Sequence, residues 1–242
     1  MAPGIPPVTV SAQPPAPGRI VGLYAAAALI DEPRSVVGGV EVPVDTAGGH
    51  GLWADPCAPG EARKEGDPGG EVIKFPGTAA WAAEQCHLVG VTDQEATDRA
   101  RLRLTRFEPI EAERHLAPVL AARATAGDTG LSGAQAEVLL AGMTPVVHIA
   151  PSSLEAMITA KQIMLVGQRL QTPLGAQVAV GAGYADTLGP GEAFVTGPVT
   201  VWRSPVDVHL GYGLATNQRL AVAERPLAVS WQGPAIKVGG TP

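Results

Sequence analysis

The chain has 242 residues, of which 45% are hydrophobic, so it can form one large packed domain or two small ones. Its net charge of −6 argues against a protein built to grip nucleic acid, because such proteins take most of their affinity from basic patches. The two cysteines, Cys57 and Cys86, are too few for a disulfide framework or a zinc knuckle.

The first third of the chain is predicted to consist mainly of extended segments. Residues 1–18 are rich in proline and short of large apolar side chains, which predicts an arm without a core of its own. The N-terminus lacks the pattern of a signal peptide, and the apolar stretch Ile20–Ile30, whose alanines favour helix, is too short to span a membrane. Strands at Val36–Val44 and Glu71–Phe75 flank residues 45–70, which are rich in glycine and proline, so we expect a long two-stranded projection there.

The clearest helix starts at Thr92, where Glu95 three residues later completes a capping box. Ala96, Ala100, Leu104 and Phe107 recur at helical spacing and predict the buried face. Pro109 is expected to kink or restart this helix, so that the stretch to Ala124 forms a second helical part of one long bent rod.

The middle of this rod carries an acid–base mixture that has two interpretations. A hydrolase could use a histidine with a neighbouring carboxylate for acid/base catalysis. On an exposed helix the same residues more often form a solvated face with ion pairs between adjacent turns, and we favour that interpretation. The residues concerned are Glu108, Glu111, Glu113, Arg114 and His115.

The stretch Val146–Tyr184 is predicted to be a strand, a helix and a second, glycine-rich strand. His148 lies alone in the first strand, which indicates a satisfied core histidine rather than a metal ligand. The Gly181–Gly183 pair lacks the third glycine and the following helix of a nucleotide-binding loop. The preceding helix, Gly133–Met143, is expected to turn Ala136, Leu139 and Leu140 towards the core.

The last fifty residues are strand-rich, and the whole chain is therefore predicted to be an α+β protein. Alternation or β-branched enrichment marks five strands in this part. They are Ala193–Gly197, Thr200–Arg203, Val206–Leu210, Arg219–Arg225 and Leu227–Trp231, with a long turn at 211–218.

A set of individually short motifs occurs in one order from about residue 70 to residue 238. They are Glu95 with Arg99–Leu104, Glu108 and Glu111; His148-Ile149; Leu170–Gly175 with Gly181–Tyr184; Thr196–Val199; Ala223–Arg225; and Ala228–Trp231. These motifs and the order of the parts resemble the major capsid proteins of tailed bacteriophages, which have the Hong Kong 97 type fold, and in particular those of actinobacterial phages; encapsulins share this fold.

This resemblance implies a Hong Kong 97 type capsid fold with five parts. They are an N-terminal arm (1–35), an extended two-stranded loop (36–77), a peripheral domain with a spine helix (78–126), a central axial domain (127–192) and C-terminal strands that return to the peripheral and axial domains (193–242).

The implied function is self-assembly into the icosahedral shell of a tailed phage, through pentamers and hexamers that enclose DNA without sequence-specific binding. An encapsulin-like compartment and a minor virion protein of the head or tail are the alternatives. The resemblance implies no catalytic residue, cofactor or metal, and it implies synthesis in the host cytoplasm, residence in the virion, and scaffold, portal and decoration proteins as candidate partners. Some such shells crosslink a lysine to an asparagine of a neighbour, for which the candidates here are Lys64, Lys74 and Asn217, the only asparagine in the chain. Asn217 has the alternative role of supporting the 211–218 turn.

Overall fold

A computed structural model describes residues 21–43 and 72–239. The predicted arm 1–18, the projection 45–70 and Lys64 lie outside the described residues. The helices are α1 (Leu23–Ala26), α2 (Asp93–Arg123), α3 (Gly130–Leu140) and α4 (Leu154–Thr159). The strands are β1 (Ala28–Asp31), β2 (Val40–Pro43), β3 (Val72–Phe75), β4 (Gly77–His87), β5 (Thr125–Gly127), β6 (Val146–Ile149), β7 (Met164–Val166), β8 (Arg169–Gln171), β9 (Gln177–Val180), β10 (Ala193–Thr196), β11 (Val199–Arg203), β12 (Asp207–Gly213), β13 (Gln218–Trp231) and β14 (Ala235–Val238).

The long helix α2 begins as the sequence predicts. The Glu95 amide donates to Thr92 Oγ1 at 3.2 Å, and the Thr92 amide donates to Glu95 Oε2 at 2.8 Å, which is the expected capping box. The helix does not restart at Pro109 but continues through it and through Pro118 as one element of 31 residues. At 1.5 Å per residue it is about 46 Å long.

A five-stranded sheet packs against α2. Its longest strand, β13, pairs antiparallel with β4 on one edge and with β12 and then β11 on the other, and β1 continues the sheet parallel to β11. Ala80 and Ala82 of β4 face the helix and form the core with Ala96 and Leu104. Because these contacts are made by alanines, the helix backbone can approach the sheet closely.

The strand β13 differs from the sequence prediction, which expected one strand before Pro226 and another after it. Pro226 has no N–H, yet it lies within one continuous strand. Pairing with β12 ends at Glu224 and pairing with β11 starts at Leu227, so Pro226 occupies the gap between these two partners. Its carbonyl oxygen accepts from the Ser204 amide at 2.9 Å. The N–H that proline lacks would face the gap between β12 and β11, so no hydrogen bond between strands is lost.

A seven-stranded mixed sheet forms the second layer, in the order β5-β14-β10-β6-β9-β8-β7. The predicted strand–helix–strand unit is confirmed, since β6 and β9 are parallel neighbours and α4 lies between them in the chain. The hairpin of β7 and β8 was not predicted; Gly167, with φ of 62°, makes its turn. This sheet and helix α3 bury a second apolar core that includes Leu131, Val138, Ile149 and Ile236.

Two shorter features complete the described chain. The strands β2 and β3, which flank residues 44–71, pair antiparallel with each other. The apolar stretch Ile20–Ile30 was expected to be a short helix or strand, with its alanines favouring helix; helix covers Leu23–Ala26 and strand β1 follows it. No helix among the described residues is long and apolar enough to cross a membrane.

Candidate functional site

The acid–base mixture of α2 separates into three different environments. Glu108 is only 3% exposed and faces the five-stranded sheet. Its Oε2 lies 3.0 Å from Arg225 Nη1, its Oε1 lies 3.8 Å from Arg203 Nη1, and Tyr24 Oη donates to Oε1 at 2.7 Å. Burial, together with the Glu108 charge, raises the pKa of Tyr24, which keeps its hydroxyl protonated as the donor. Glu108 therefore joins α1, α2 and the sheet.

Glu111 and His115 lie elsewhere on the helix. Glu111 pairs with Arg114 on the helix surface, with both side chains more than one-third exposed. His115 Nε2 lies 2.9 Å from the carbonyl oxygen of Pro76. The hydrolase hypothesis needed His115 and a carboxylate to converge in one pocket. Glu108 belongs instead to the buried arginine cluster. Glu111 and His115 do line one groove, of about 190 Å³, but there the Glu111 carboxylate is paired with Arg114 and the His115 ring lies against the Pro76 carbonyl.

Glu113 is the third case, and here the expectation of a solvated side chain is wrong. Its side chain is 2% exposed and accepts from two backbone amides, that of Leu23 at 2.9 Å and that of Gly183 at 3.1 Å. A Cβ atom at Gly181 or Gly183 would come within 2.5 Å of Glu113 side-chain atoms. Burial raises the pKa of Glu113, and the two amides partly oppose that shift. The absence of side chains at Gly181 and Gly183 thus makes room for the Glu113 carboxylate.

His148 is a satisfied core histidine, as predicted. Thr196 Oγ1 donates to the Gly197 carbonyl, so it must accept from His148 Nε2, which lies 3.0 Å away. The other ring nitrogen, Nδ1, then accepts from Tyr184 Oη at 2.9 Å. This chain of hydrogen bonds fixes the neutral tautomer, and complete burial lowers the pKa of His148 to about 3. No group of three or more metal-ligating side chains occurs within residues 21–43 and 72–239.

The two described crosslink candidates lie on exposed parts of the chain. Lys74 is exposed in β3, beside the segment that lies outside the described residues. Asn217 is exposed in the turn between β12 and β13, where its φ of 51° and ψ of 42° place it in the left-handed region. Asparagine tolerates that region better than most residues, which fits its alternative role in the turn.

Exposed apolar side chains on the seven-stranded half were missed by the sequence analysis. Leu140 is 85% exposed and Leu139 46%, whereas both were expected to face the core. The buried stripe of α3 is instead Leu131, Ala134 and Val138, and this spacing of three and four residues could have been recognised once the helix was started at Gly130. Ile158, Met164, Leu165, Val166 and Leu174 are also more than 40% exposed. Such an accumulation is typical of protein–protein contacts.

Comparisons with known proteins give a structural match without a sequence match. No protein-family model and no curated protein matches the sequence. The capsid of a native GTA particle, computed with C5 symmetry, is 11% identical and superposes with a TM-score of 0.58 over 97% of this chain and 94% of its own. The chain has the Hong Kong 97 type capsid fold. The fold predicted from the resemblance is thereby confirmed.

Two further solved structures place this capsid fold in a phage and in an encapsulin. Microbacterium phage Oxtober96 gives a TM-score of 0.53 at 13% identity, over 98% of this chain and 95% of that one. The holo-SrpI encapsulin complex of Synechococcus elongatus gives 0.54 at 10% identity, over 97% and 92%. Because the match extends over nearly all of both chains, the common fold includes both sheets and the spine helix α2.

Proposed function

We propose that this chain is the structural subunit of the icosahedral shell of a tailed bacteriophage, where many copies enclose the DNA. The observation that carries the proposal is the capsid fold itself, which the chain shares with phage shells over nearly its whole length. The exposed apolar side chains of the seven-stranded half support it, because a subunit that functions as a monomer would rarely expose so many.

In this proposal the chain keeps the five parts expected from the resemblance. The half built from α2 and the five-stranded sheet serves as the peripheral domain, and the half built on the seven-stranded sheet serves as the axial domain. Pentamers and hexamers then form through heterologous contacts that close into rings. In this proposal the DNA is enclosed without sequence-specific binding, and the net charge of −6 suits a wall that does not grip its contents.

An encapsulin-like compartment is the second candidate, favoured by the match to the SrpI encapsulin. The contents separate the two functions. A phage shell isolated from its natural source holds DNA that resists nuclease until the particle is opened, whereas a compartment holds protein. A minor head or tail protein is separated by its copy number, because a shell contains hundreds of copies and a completion protein only a few. Scaffold, portal and decoration proteins, residence in the virion and synthesis in the host cytoplasm belong to the phage proposal.

The first prediction concerns assembly. The expressed protein should form closed particles visible by negative-stain microscopy, and Leu140→Glu should reduce their yield at least tenfold. Leu140 is 85% exposed, so the charge should change the free energy of unfolding by less than about 0.5 kcal/mol while placing a carboxylate in a subunit contact. Leu140→Met keeps the apolar surface and should assemble like the parent chain. A chain that stays monomeric under every assembly condition, and that is absent from any virion, contradicts the proposal.

The second prediction concerns the crosslink, which we propose between a lysine of one copy, Lys64 or Lys74, and Asn217 of another. The lysine amine would attack the Asn217 side-chain carbonyl and release ammonia, leaving an amide bond. Mature particles should then give bands above the monomer on denaturing gels. Asn217→Gly keeps the left-handed turn but removes the carboxamide, and should give monomer bands alone. If the parent particles also give monomer bands alone, the proposed crosslink is wrong and Asn217 serves only to support the 211–218 turn.

A further inference from the structure

The outer edge of β4 is an open strand edge in the part of the chain that the structure describes. β4 pairs with β13 and with no other described strand. Ala79 lies opposite Pro226, whose carbonyl points away from β4 to the Ser204 amide. In an antiparallel pair both residues then direct their backbone groups away from each other, so Ala79 directs its N–H and C=O to the open edge. Trp81 and Ala83 do the same, since alternate residues share an orientation.

Ala83 provides independent evidence for this orientation. Its carbonyl oxygen accepts from Arg103 Nη1 of α2 at 2.8 Å, which requires that it point away from β13. At the other end, His115 of α2 reaches the Pro76 carbonyl. These two side chains bracket the stretch Gly77–Ala82, whose open edge faces the groove between them.

The groove between this edge and α2 has a volume of about 480 Å³. Its walls include two exposed aromatic residues, Trp81 at 64% and Phe107 at 40% exposure. Tryptophan is the residue that most often anchors a bound segment, and an open edge offers main-chain hydrogen bonds beside it. The groove therefore has the features of a site for an extended peptide segment that adds a strand to the sheet.

We propose that the occupant is the segment Val8–Ala12 of this chain, which pairs with the open edge of β4. Its sequence, Val-Thr-Val-Ser-Ala, begins with three β-branched residues and carries no charge. Pro6-Pro7 before it and Pro14-Pro15 after it cannot donate hydrogen bonds, so they confine pairing to the residues between them. That length matches the bracketed stretch of β4.

The other long segment outside the described residues suits the groove less well. Residues 44–71 contain β-branched side chains only at Val44 and Thr46, and they are dense in glycine, proline and charge. The N-terminal segment also starts close by. The Leu23 amide is bonded to Glu113, and the next helix residue, Arg114, lines the groove. The nine residue steps from Ala12 to Val21 span up to about 30 Å when extended, enough to reach the groove of the same copy.

Amide hydrogen exchange tests the proposal on unassembled protein at low concentration, so its failure leaves the shell proposal untouched. Exchange of the Ala79 and Trp81 amides should be at least about tenfold slower in the full chain than in a variant lacking residues 1–18. Adding the peptide of residues 6–15 to that variant should restore the protection. The same peptide with Thr9→Pro and Val10→Pro lacks the two central backbone N–H donors and should not restore the protection. Exchange in β6 should stay constant throughout, as the control for folding.

A second variant keeps the chain at full length. Trp81→Ala removes an exposed side chain and should leave the fold intact while abolishing the protection of the β4 edge. The proposal is overturned if the truncated and full chains exchange equally at Ala79 and Trp81. It is also overturned if a peptide of residues 44–71 protects the edge and the peptide of residues 6–15 does not.

Discussion

Glu108→Ala is expected to lower the free energy of unfolding by about 3 kcal/mol, because it leaves a buried pair of arginines without their carboxylate. Arg225 and Arg203 are only 22% and 19% exposed, and both lie against the same glutamate. Their Nε atoms already lack a hydrogen-bond partner within the described residues. The value lies near the lower end for broken buried ion pairs, since both guanidinium groups retain some water and Arg203 also pairs with Asp31 at 2.7 Å.

The measurement is denaturant unfolding at a protein concentration below assembly, because association would stabilise the folded state by mass action. Glu111→Ala is the matched control three residues away. It removes an exposed partner of Arg114, and we expect a change of less than about 1 kcal/mol. If the two variants lose the same free energy, the cluster around Glu108 does not stabilise the fold.

A double-mutant cycle separates the pair from its surroundings. Arg225→Ala alone leaves the Glu108 carboxylate buried with one arginine fewer, while the double variant removes both charges of the closest pair. The double variant should therefore be more stable than the sum of the two single losses predicts, by about 1 kcal/mol or more. Strict additivity would mean that the 3.0 Å contact contributes nothing beyond packing.

The network around Glu108 also marks the limit of what the sequence could predict. The capping box, the parallel pair of β6 and β9 and the alternating strands follow from local patterns, and the structure has them all. Whether a helix glutamate is buried depends on partners far along the chain, and Arg225 lies 117 residues from Glu108. The local sequence pattern therefore predicted that Glu108, Glu111 and Glu113 are all solvated, whereas in the structure Glu108 and Glu113 are buried.

Two other misses have the same physical cause. Pro226 indicates a break between strands, and only the arrangement of β11 and β12 around β13 makes a residue without an N–H acceptable there. Leu139 and Leu140 look like core residues because helix α3 is apolar on more than one side. Which side is buried is decided by the sheet beneath it, and the remaining apolar side stays exposed.

The second large effect is expected on acidification, where His148 should make the fold less stable below pH 6.5. Its pKa is about 3 in the folded chain, because the ring is completely buried, against about 6.5 when unfolded. Between these values the unfolded chain binds a proton that the folded chain does not. The stabilisation is therefore fully present above pH 6.5 and is lost as the pH falls towards 3, by up to about 1.4 kcal/mol per pH unit.

The variant that tests this is His148→Gln, whose side chain stays neutral and can still accept from Tyr184 and donate to Thr196. It should be less stable than the parent chain at pH 7.5, because the amide does not fill the ring's space, yet its stability should decline much less between pH 6.5 and 4.5. His209→Gln is the matched control, because it makes the same substitution at an exposed side chain. Denaturant unfolding of unassembled protein at several pH values gives both slopes. Equal slopes for the parent chain and His148→Gln would show that the buried histidine does not set the acid sensitivity, whereas a flattened slope assigns it to the hydrogen-bonded chain of Tyr184, His148 and Thr196.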